Sequence, residues 1–262
     1  MDPRVVLAAY QTLAEEGLVV LKPRSGVYVA PATSPSDERP PSKDFLADTL
    51  VAAVVRGFSL TRFTDDLRTA ALGRRLRATV IAATEDQAHG LSRELKVDYG
   101  FETTTLLPED LKEAATIRSA IQRTHLVVTT KASEKEVSEV AERTGKQLMV
   151  VDIRPAFVEK EWKDLIRLGR AYIVAADPRF LEVTRRHLEK VMDLRNVRMM
   201  IVDRDDLTTI PPQAPTYVTE AARQKLGKFR IPGRLIPPPR LLAENSVRTL
   251  VAFIVKMNLD QV

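Results

Sequence analysis

The strongest constraint on the fold of this chain is a change of hydrophobic period near residue 77. From that point, short β-rich apolar runs alternate with helix-length amphipathic segments. Apolar strands separated by helices are typical of a parallel sheet that is covered on both faces. The predicted strands are 78–83, 101–107, 125–130, 147–153, 171–176 and 197–203. We therefore expect an α/β fold, with a parallel-sheet domain over residues 77–262.

The segments between these strands predict the helices of the domain. They lie near 84–96, 108–122, 133–144, 158–168 and 178–192, and a last helix lies near 241–257. Several helices carry a start signal directly after a strand: the capping boxes Thr84–Gln87 and Ser133–Glu136, and the prolines Pro155 and Pro178. Each of these helices is therefore expected to begin at the carboxyl edge of the sheet.

Three shorter parts precede the α/β domain. Residues 3–16 predict a helix, and the β-rich runs 18–22 and 26–30 predict a hairpin. Residues 31–42, PATSPSDERPPS, predict a linker. Residues 43–76 predict a connector of two amphipathic helices, the second of them capped by Ser59. Two roles stay open for the connector, which either packs on its own domain or forms a dimer surface.

Composition and motifs argue against several kinds of site. The chain has no cysteine, which excludes disulfides, thiol nucleophiles and Cys-ligated metals, and it has only three histidines. No glycine-rich dinucleotide loop, phosphate-binding lysine loop or nucleophile elbow occurs. We therefore expect no catalytic residue, no metal and no cofactor, and a chain that is not an enzyme. The net charge of +5 permits a polyanionic partner without requiring one.

Targeting signals are also missing from the sequence. No apolar stretch reaches about 18 residues, the length that a membrane span needs. The start, MDPRVVLAAY, lacks the basic and apolar regions of a signal peptide. The expected location is the cytoplasm, with no membrane partner.

Polar side chains at the predicted carboxyl edge of the sheet suggest a small-molecule site. Ligands bind at this edge in parallel sheets, and free backbone N–H groups there favour anions. Arg154 and Arg179 are the most informative members, because a guanidinium donates two hydrogen bonds to a carboxylate or phosphate. The alternative is that both arginines pair with nearby acids, leaving no pocket. The candidate effector site is Thr129, Thr130, Lys131, Asp152, Arg154, Asp177 and Arg179.

The first thirty residues carry a family resemblance. The segment DPRVVLAAYQTLAEEGLVVLKPRSGVYVA resembles the second half of the winged helix-turn-helix of GntR-family transcriptional regulators, in their YtrA-like branch. The residues that match this recognition helix and wing, in order, are Tyr10, Leu13, Glu16-Gly17-Leu18-Val19, Ser25-Gly26 and Tyr28-Val29.

The resemblance implies a DNA-binding role for residues 1–30. The DNA contacts would be Asp2, Pro3 and Arg4 at the start of the recognition helix, and Lys22 and Arg24 in the wing. The family's first two helices would precede Asp2, so we expect a partial, N-terminally truncated winged domain that binds double-stranded DNA weakly.

Together these features favour a bacterial transcriptional regulator. A partial winged helix-turn-helix and a helical connector would precede an α/β domain that senses a small effector, with anions as candidates. The expected assembly is a homodimer. The alternatives are a free-standing ligand-binding protein that has lost DNA binding, and an α/β enzyme that acts on a small anionic metabolite.

Overall fold

The computed structural model describes residues 19–22, 26–29, 41–154, 166, 170–190 and 193–260. The chain divides into two compact units, residues 1–41 and residues 42–262, and each is described by itself. Several predictions fall outside the described residues. They are the helix at 3–16, most of the linker, most of the helix at 158–168, and the DNA contacts Asp2, Pro3, Arg4 and Arg24.

The first unit contains the predicted hairpin. Its strands are β1 (Val19–Lys22) and β2 (Gly26–Val29), which pair antiparallel. Val19 lies opposite Val29 and Lys22 lies opposite Gly26.

The second unit begins with the two predicted connector helices. They are α1 (Lys43–Val55) and α2 (Leu60–Leu72). Ser42 caps α1 by accepting a hydrogen bond from Phe45 N at 3.1 Å, and Ser59 caps α2 by accepting one from Arg62 N. Gly57 has a φ of 88°, a left-handed conformation that glycine adopts without strain and that turns the chain between the helices.

A parallel four-stranded sheet forms the centre of the first lobe. Its order is β4-β3-β5-β6, and the core includes the fully buried Val80, Leu126 and Val128. The elements of this lobe are β3 (Arg77–Ile81), α3 (Glu85–Tyr99), β4 (Glu102–Leu106), β5 (Leu126–Thr130), α4 (Glu134–Thr144), β6 (Gln147–Val151) and the last helix, α7 (Glu244–Leu259).

A second parallel four-stranded sheet forms the centre of the second lobe. Its order is β10-β9-β7-β8, so both sheets place their strands in the order second, first, third, fourth along the chain. The elements of this lobe are β7 (Ala171–Ala175), α5 (Pro178–Leu188), β8 (Val197–Ile201), β9 (Pro215–Val218), α6 (Glu220–Leu226) and β10 (Arg234–Leu235).

These sheets confirm the α/β prediction, with two differences. The described residues hold two parallel sheets where the sequence predicts one, and β9 and β10 lie in the tail that it left irregular. The predicted helix at 108–122 is a 3₁₀ turn, Pro108–Lys112, followed by a short helical segment that ends as a π-helix, Ile117–Ile121. Ser133 makes no side-chain cap, because it ends a 3₁₀ turn that runs into α4.

Two backbone segments at the lobe boundary run side by side. Residues 152–154 leave the first lobe and residues 241–243 return to it. Arg154 N donates to Leu241 O at 2.6 Å, and Ala243 N donates to Asp152 O at 2.9 Å. We call these the paired crossing segments. The returning chain then enters α7, whose Leu250 and Phe253 are buried in the core of the first lobe.

No helix among the described residues is long and apolar enough to cross a bilayer.

Candidate ligand site between the two lobes

Helix α3 begins at the carboxyl edge of the first sheet, where it contacts the second lobe. Thr84 follows β3 and caps the helix, accepting a hydrogen bond from Gln87 N at 3.3 Å, as its spacing to Gln87 predicts. The next two residues, Glu85 and Asp86, form the acidic first turn. Acids are favoured in this turn because the helix dipole is positive there.

Asp86 reaches across to the second lobe. Its carboxylate accepts hydrogen bonds from Ala176 N at 2.9 Å and Asp177 N at 2.7 Å, and from the Thr219 hydroxyl. These groups follow β7 and β9, neighbours in the second sheet whose onward connections lead in opposite directions. Open α/β sheets bind their ligands at such a reversal of strand order. A carboxylate of the chain itself therefore occupies this position.

Asp177 makes the reciprocal contact. The backbone N–H of Glu85 in the first turn of α3 lies close enough to this carboxylate to lower its pKa, and the carboxylate accepts a hydrogen bond from Arg179 N at 2.8 Å. Each lobe thus presents backbone N–H groups to a carboxylate of the other. We call Asp86 and Asp177, with the N–H groups of Glu85, Ala176 and Asp177, the carboxylate clasp.

The pKa values of the two carboxylates of the clasp shift in opposite directions. Burial raises the pKa of Asp86, and the hydrogen bonds that it accepts do not fully offset this. For Asp177, burial also raises the pKa, but the hydrogen bonds from Arg179 and Glu85 and the charge of Arg179 outweigh it and leave the pKa lowered. The fold therefore favours the ionised form of Asp177, whereas it makes the ionised form of Asp86 less favourable than in water.

Ion pairs surround the clasp on the same boundary between the lobes. They are Lys225–Glu85 at 2.8 Å, Arg93–Glu220 at 3.7 Å and Arg179–Glu109 at 3.8 Å. These side chains are partly exposed, so each pair contributes little free energy.

An apolar cavity of about 200 Å³ opens beside the clasp and is lined by both lobes. Its polar lining includes Gln87, Arg154 and His187. The apolar lining includes Ile153, Phe180, Val183, Leu188 and Leu241. A concave apolar site with a few convergent polar groups is what small-molecule sites share.

A more polar recess of about 530 Å³ lies elsewhere along the lobe boundary. Glu85, His89 and Asp110 line it from the first lobe, and Gln224 and Lys225 line it from α6. Lys225 is already paired with Glu85, and the Asp110 carboxylate accepts a hydrogen bond from Leu107 N. At least three charged side chains of the recess, Glu85, Asp110 and Lys225, are therefore already engaged.

The structure distributes the predicted effector residues over both sheets, where the sequence placed them at the edge of one. Thr129 is buried and donates to Ile81 O at 2.8 Å, which ties β5 to β3. Lys131 pairs with Glu134, and Asp152 lies in a paired crossing segment, where its N–H donates to the Ser246 hydroxyl. These three residues are engaged within the first lobe.

Arg179 follows the alternative prediction, in which the arginines pair with nearby acids. Its guanidinium donates to both carboxylate oxygens of Asp177, at 2.8 to 3.2 Å. Arg154 instead lines the apolar cavity. Of the two arginines proposed for an anion, Arg154 is therefore the one that lines this cavity.

Two buried polar atoms mark the carboxyl edge of the first sheet. Among the described residues, Gln87 Oε1 and Thr130 Oγ1 have no hydrogen-bond partner. Gln87 lines the apolar cavity, so its amide oxygen can accept a hydrogen bond from a bound molecule. Buried acceptors without a partner are rare because they cost free energy, and those in a cavity are candidate ligand contacts.

Asp86 and Thr219 are important residues that sequence reasoning missed. In sequence, Asp86 is an acid in a helix first turn and Thr219 is a helix cap, and both patterns occur without any binding function. His125 accepts a hydrogen bond from Arg77 N at 2.9 Å, which joins the residue before β5 to the start of β3. Among the described residues, no cluster of His, Asp or Glu could hold a metal ion.

The chain was compared with family models, curated proteins and solved structures. No family model matches the chain, and no curated protein matches it. A similar solved structure is that of anabolic ornithine carbamoyltransferase from Campylobacter jejuni subsp. jejuni. The match covers 78% of this chain and 93% of that chain, with 13% identity and a TM-score of 0.24.

This comparison corrects one prediction. The expectation that the chain is not an enzyme is contradicted, because the similar structure is that of an enzyme. We withdraw that expectation. A TM-score of 0.24 transfers no activity, substrate or residue role to this chain.

Removing the charge of Asp177 should destabilise the folded protein, because this carboxylate belongs to the clasp. Its side chain is only 9% exposed, so Asp177→Asn should lower the free energy of unfolding by about 1.5–3 kcal/mol at neutral pH. The matched control is Asp193→Asn. Asp193 has the same spacing to Arg195 but is exposed on the surface. Chemical denaturation that gave equal effects for the two variants would remove Asp177 from the clasp.

The same variant has a defined pH dependence. Because folding lowers the pKa of Asp177, its contribution exists above the ordinary value of 3.8 and disappears as pH falls through the folded value. The stability difference between the wild type and Asp177→Asn should therefore shrink in acid. A difference that stayed constant from pH about 7 to pH about 3 would contradict this sign.

Proposed function

We propose that this chain is a GntR-type DNA-binding transcriptional regulator that acts in the cytoplasm. Its two-lobed domain would sense a small molecule. The observation that carries the sensing role is the apolar cavity between the lobes, which lies next to the clasp that joins them. A molecule in this cavity contacts both lobes, so it changes the relative stability of their arrangements.

The cavity defines the class of molecule. An apolar cavity of 150 Å³ in another protein binds benzene, so about 200 Å³ accommodates an aromatic or branched aliphatic body of roughly ten non-hydrogen atoms. Arg154 brings a cation to the same cavity, which suits an acidic group, and Gln87 Oε1 can accept from a separate donor of the ligand. The proposed effector is therefore a small amphipathic molecule with an acidic group.

The hairpin supports the DNA-binding role. Lys22 ends β1 opposite Gly26, at the end of the hairpin where the wing of the resembling family contacts DNA. A basic residue at this position suits contacts to phosphates, which position a protein on DNA without reading its sequence.

A thermal-shift titration tests the sensing role. The probes are 3-phenylpropionate and its uncharged analogue 3-phenylpropanol. We expect 3-phenylpropionate to raise the melting temperature saturably in the wild type, and 3-phenylpropanol to raise it less. Val183→Trp fills the cavity and should abolish both shifts, because Val183 lines it from α5.

The control for this titration is Val97→Trp. Val97 and Val183 are similarly exposed, at 46% and 51%, but Val97 is not among the cavity-lining residues. The control should respond like the wild type. Equal shifts in Val183→Trp and the wild type, or no shift with either probe, would contradict the proposed site.

A salt titration tests the DNA-binding role separately. Binding to a mixed-sequence duplex should weaken with salt, and Lys22→Ala/Arg24→Ala should reduce the slope of log K against log salt by about 1.8, or 0.9 per phosphate contact. The control Lys96→Ala/Lys135→Ala removes two exposed lysines of the two-lobed domain and should leave the slope unchanged. Salt-independent or absent binding would instead favour a ligand-binding protein without a DNA role.

A further inference from the structure

A run of basic residues without any acid passes through the last elements of the second lobe. Residues 221–243 contain six basic side chains and no acidic one, between Glu220 and Glu244. The net charge of the whole chain is +5, so the rest of the chain is close to neutral. A basic cluster on an otherwise neutral protein is the electrostatic footprint of a polyanion site. The basic residues of this run are Arg223, Lys225, Lys228, Arg230, Arg234 and Arg240.

Three of these six cations lack a partner among the described residues. Lys225 and Arg240 form ion pairs with acids of α3, and Arg223 donates to a backbone carbonyl. In the part of the chain that the structure describes, no ion pair or hydrogen bond engages the other three side chains, and all three are exposed. An uncommitted cation binds a phosphate without first breaking a pair of its own. These side chains are Lys228, Arg230 and Arg234.

The backbone that carries these three cations is anchored to the second lobe. Leu226 and Ile231 pack against the buried core of this lobe, one on each side of residues 228–230. Arg234 N donates to Ala214 O at 2.9 Å, which fixes the start of β10. Binding therefore orders the side chains but not the backbone, which keeps its entropy cost low.

The acidic turn beside this stretch is engaged with its own backbone. Leu207 and Ile231 pack in the same core cluster, so the turn at residues 203–206 is a neighbour of the three cations. Asp205 and Asp206 accept hydrogen bonds from nearby backbone N–H groups at 2.6 and 3.0 Å. Within the described residues, no ion pair joins this turn to the three cations. Their charge is therefore not neutralised by a direct partner there.

Phe229 adds an exposed aromatic ring between two of the cations. It lies between Lys228 and Arg230 in the sequence, and 47% of it is exposed. Among the described residues after residue 76, it is the one phenylalanine that is exposed. Proteins that bind single-stranded nucleic acids combine these two features, because their cations contact the phosphates and their aromatic rings stack on the bases.

Other anionic partners fit these residues less well. A bilayer requires a larger apolar face than Phe229 and Leu235 provide. A peptide strand added to the edge of the sheet needs backbone donors, but β10 has only two residues and residues 237–239 are prolines. Double-stranded DNA keeps its bases stacked on one another, so it offers no base face to Phe229.

We propose that Lys228, Phe229, Arg230 and Arg234 form a binding surface for single-stranded nucleic acid. We call it the basic surface. Six peptide steps separate Lys228 from Arg234, so their backbones lie at most about 20 Å apart, a distance that a few nucleotides span. The cations contact phosphates, and the ring of Phe229 stacks on a base. None of these residues belongs to the hairpin or to the lining of the apolar cavity, so the inference does not depend on the proposed function.

Fluorescence anisotropy of the full chain with a labelled oligothymidylate of about twenty nucleotides tests this inference. The wild type should bind, and its binding should weaken with salt. Lys228→Ala/Arg230→Ala/Arg234→Ala should reduce the slope of log K against log salt by about 2, or about 0.7 per phosphate contact on a single strand. Phe229→Ala should lower the affinity at least about fivefold and leave the slope unchanged, because it removes stacking but no charge.

The matched control for charge is Arg185→Ala/Lys190→Ala/Arg198→Ala. It removes three exposed cations of the same lobe outside the basic surface and should leave the slope unchanged. The circular dichroism of every variant should match the wild type, because all the substituted side chains are exposed.

Three results would overturn the inference. The first is an equal slope in the two triple variants, and the second is an unchanged affinity in Phe229→Ala. The third is binding that is confined to a duplex of the same length or to phosphatidylserine vesicles, since neither offers an unstacked base.

Discussion

The arrangement of the two-lobed domain depends on one buried carboxylate. Asp86 belongs to the first lobe, but the groups that satisfy it, Ala176 N, Asp177 N and the Thr219 hydroxyl, belong to the second. A carboxylate removed from water without such partners costs several kcal/mol or takes up a proton. The lobes therefore cannot shift at this point unless water, a proton or a ligand replaces the lost hydrogen bonds.

This constraint connects the cavity to the rest of the molecule. Asp86 and Gln87 belong to the lining of the cavity, and Arg154 and Leu241, in the paired crossing segments, line it as well. A ligand in the cavity thus touches both the clasp and the backbone that joins the lobes. In the proposed regulator, the first lobe carries the change to α7 and, through the hydrogen bond from Asn258 to Ala70 O, to α2.

The sequence predicted local structure better than it predicted the division into lobes. The apolar strands, the Thr84 cap and the helix start at Pro178 follow from nearest-neighbour patterns, and the structure contains all of them. Two sheets could not be told from one, because AYIVA at 171–175 reads like any other strand that is buried on both faces. β10 has only two residues, too few to give a periodic signal.

The candidate site was predictable only in part. The carboxyl edges of parallel strands were the correct region, and Arg154 does line the cavity. The sequence predicts Arg179 as a ligand contact, but Arg179 pairs with Asp177 two residues away, because the N-cap turn brings the two side chains together. Asp86 carried no distinguishing signal, since its role depends on strands about ninety residues further along the chain.

Native-state hydrogen exchange at the amides of Ala176 and Asp177 tests the clasp most directly. Their described partner is the Asp86 carboxylate, so both should be protected to the level of the neighbouring β7 amides. Asp86→Ala should remove that protection while Ile173 keeps its own. Exchange of the two amides at the rate of exposed backbone in the wild type, or protection that survives Asp86→Ala, would contradict the account.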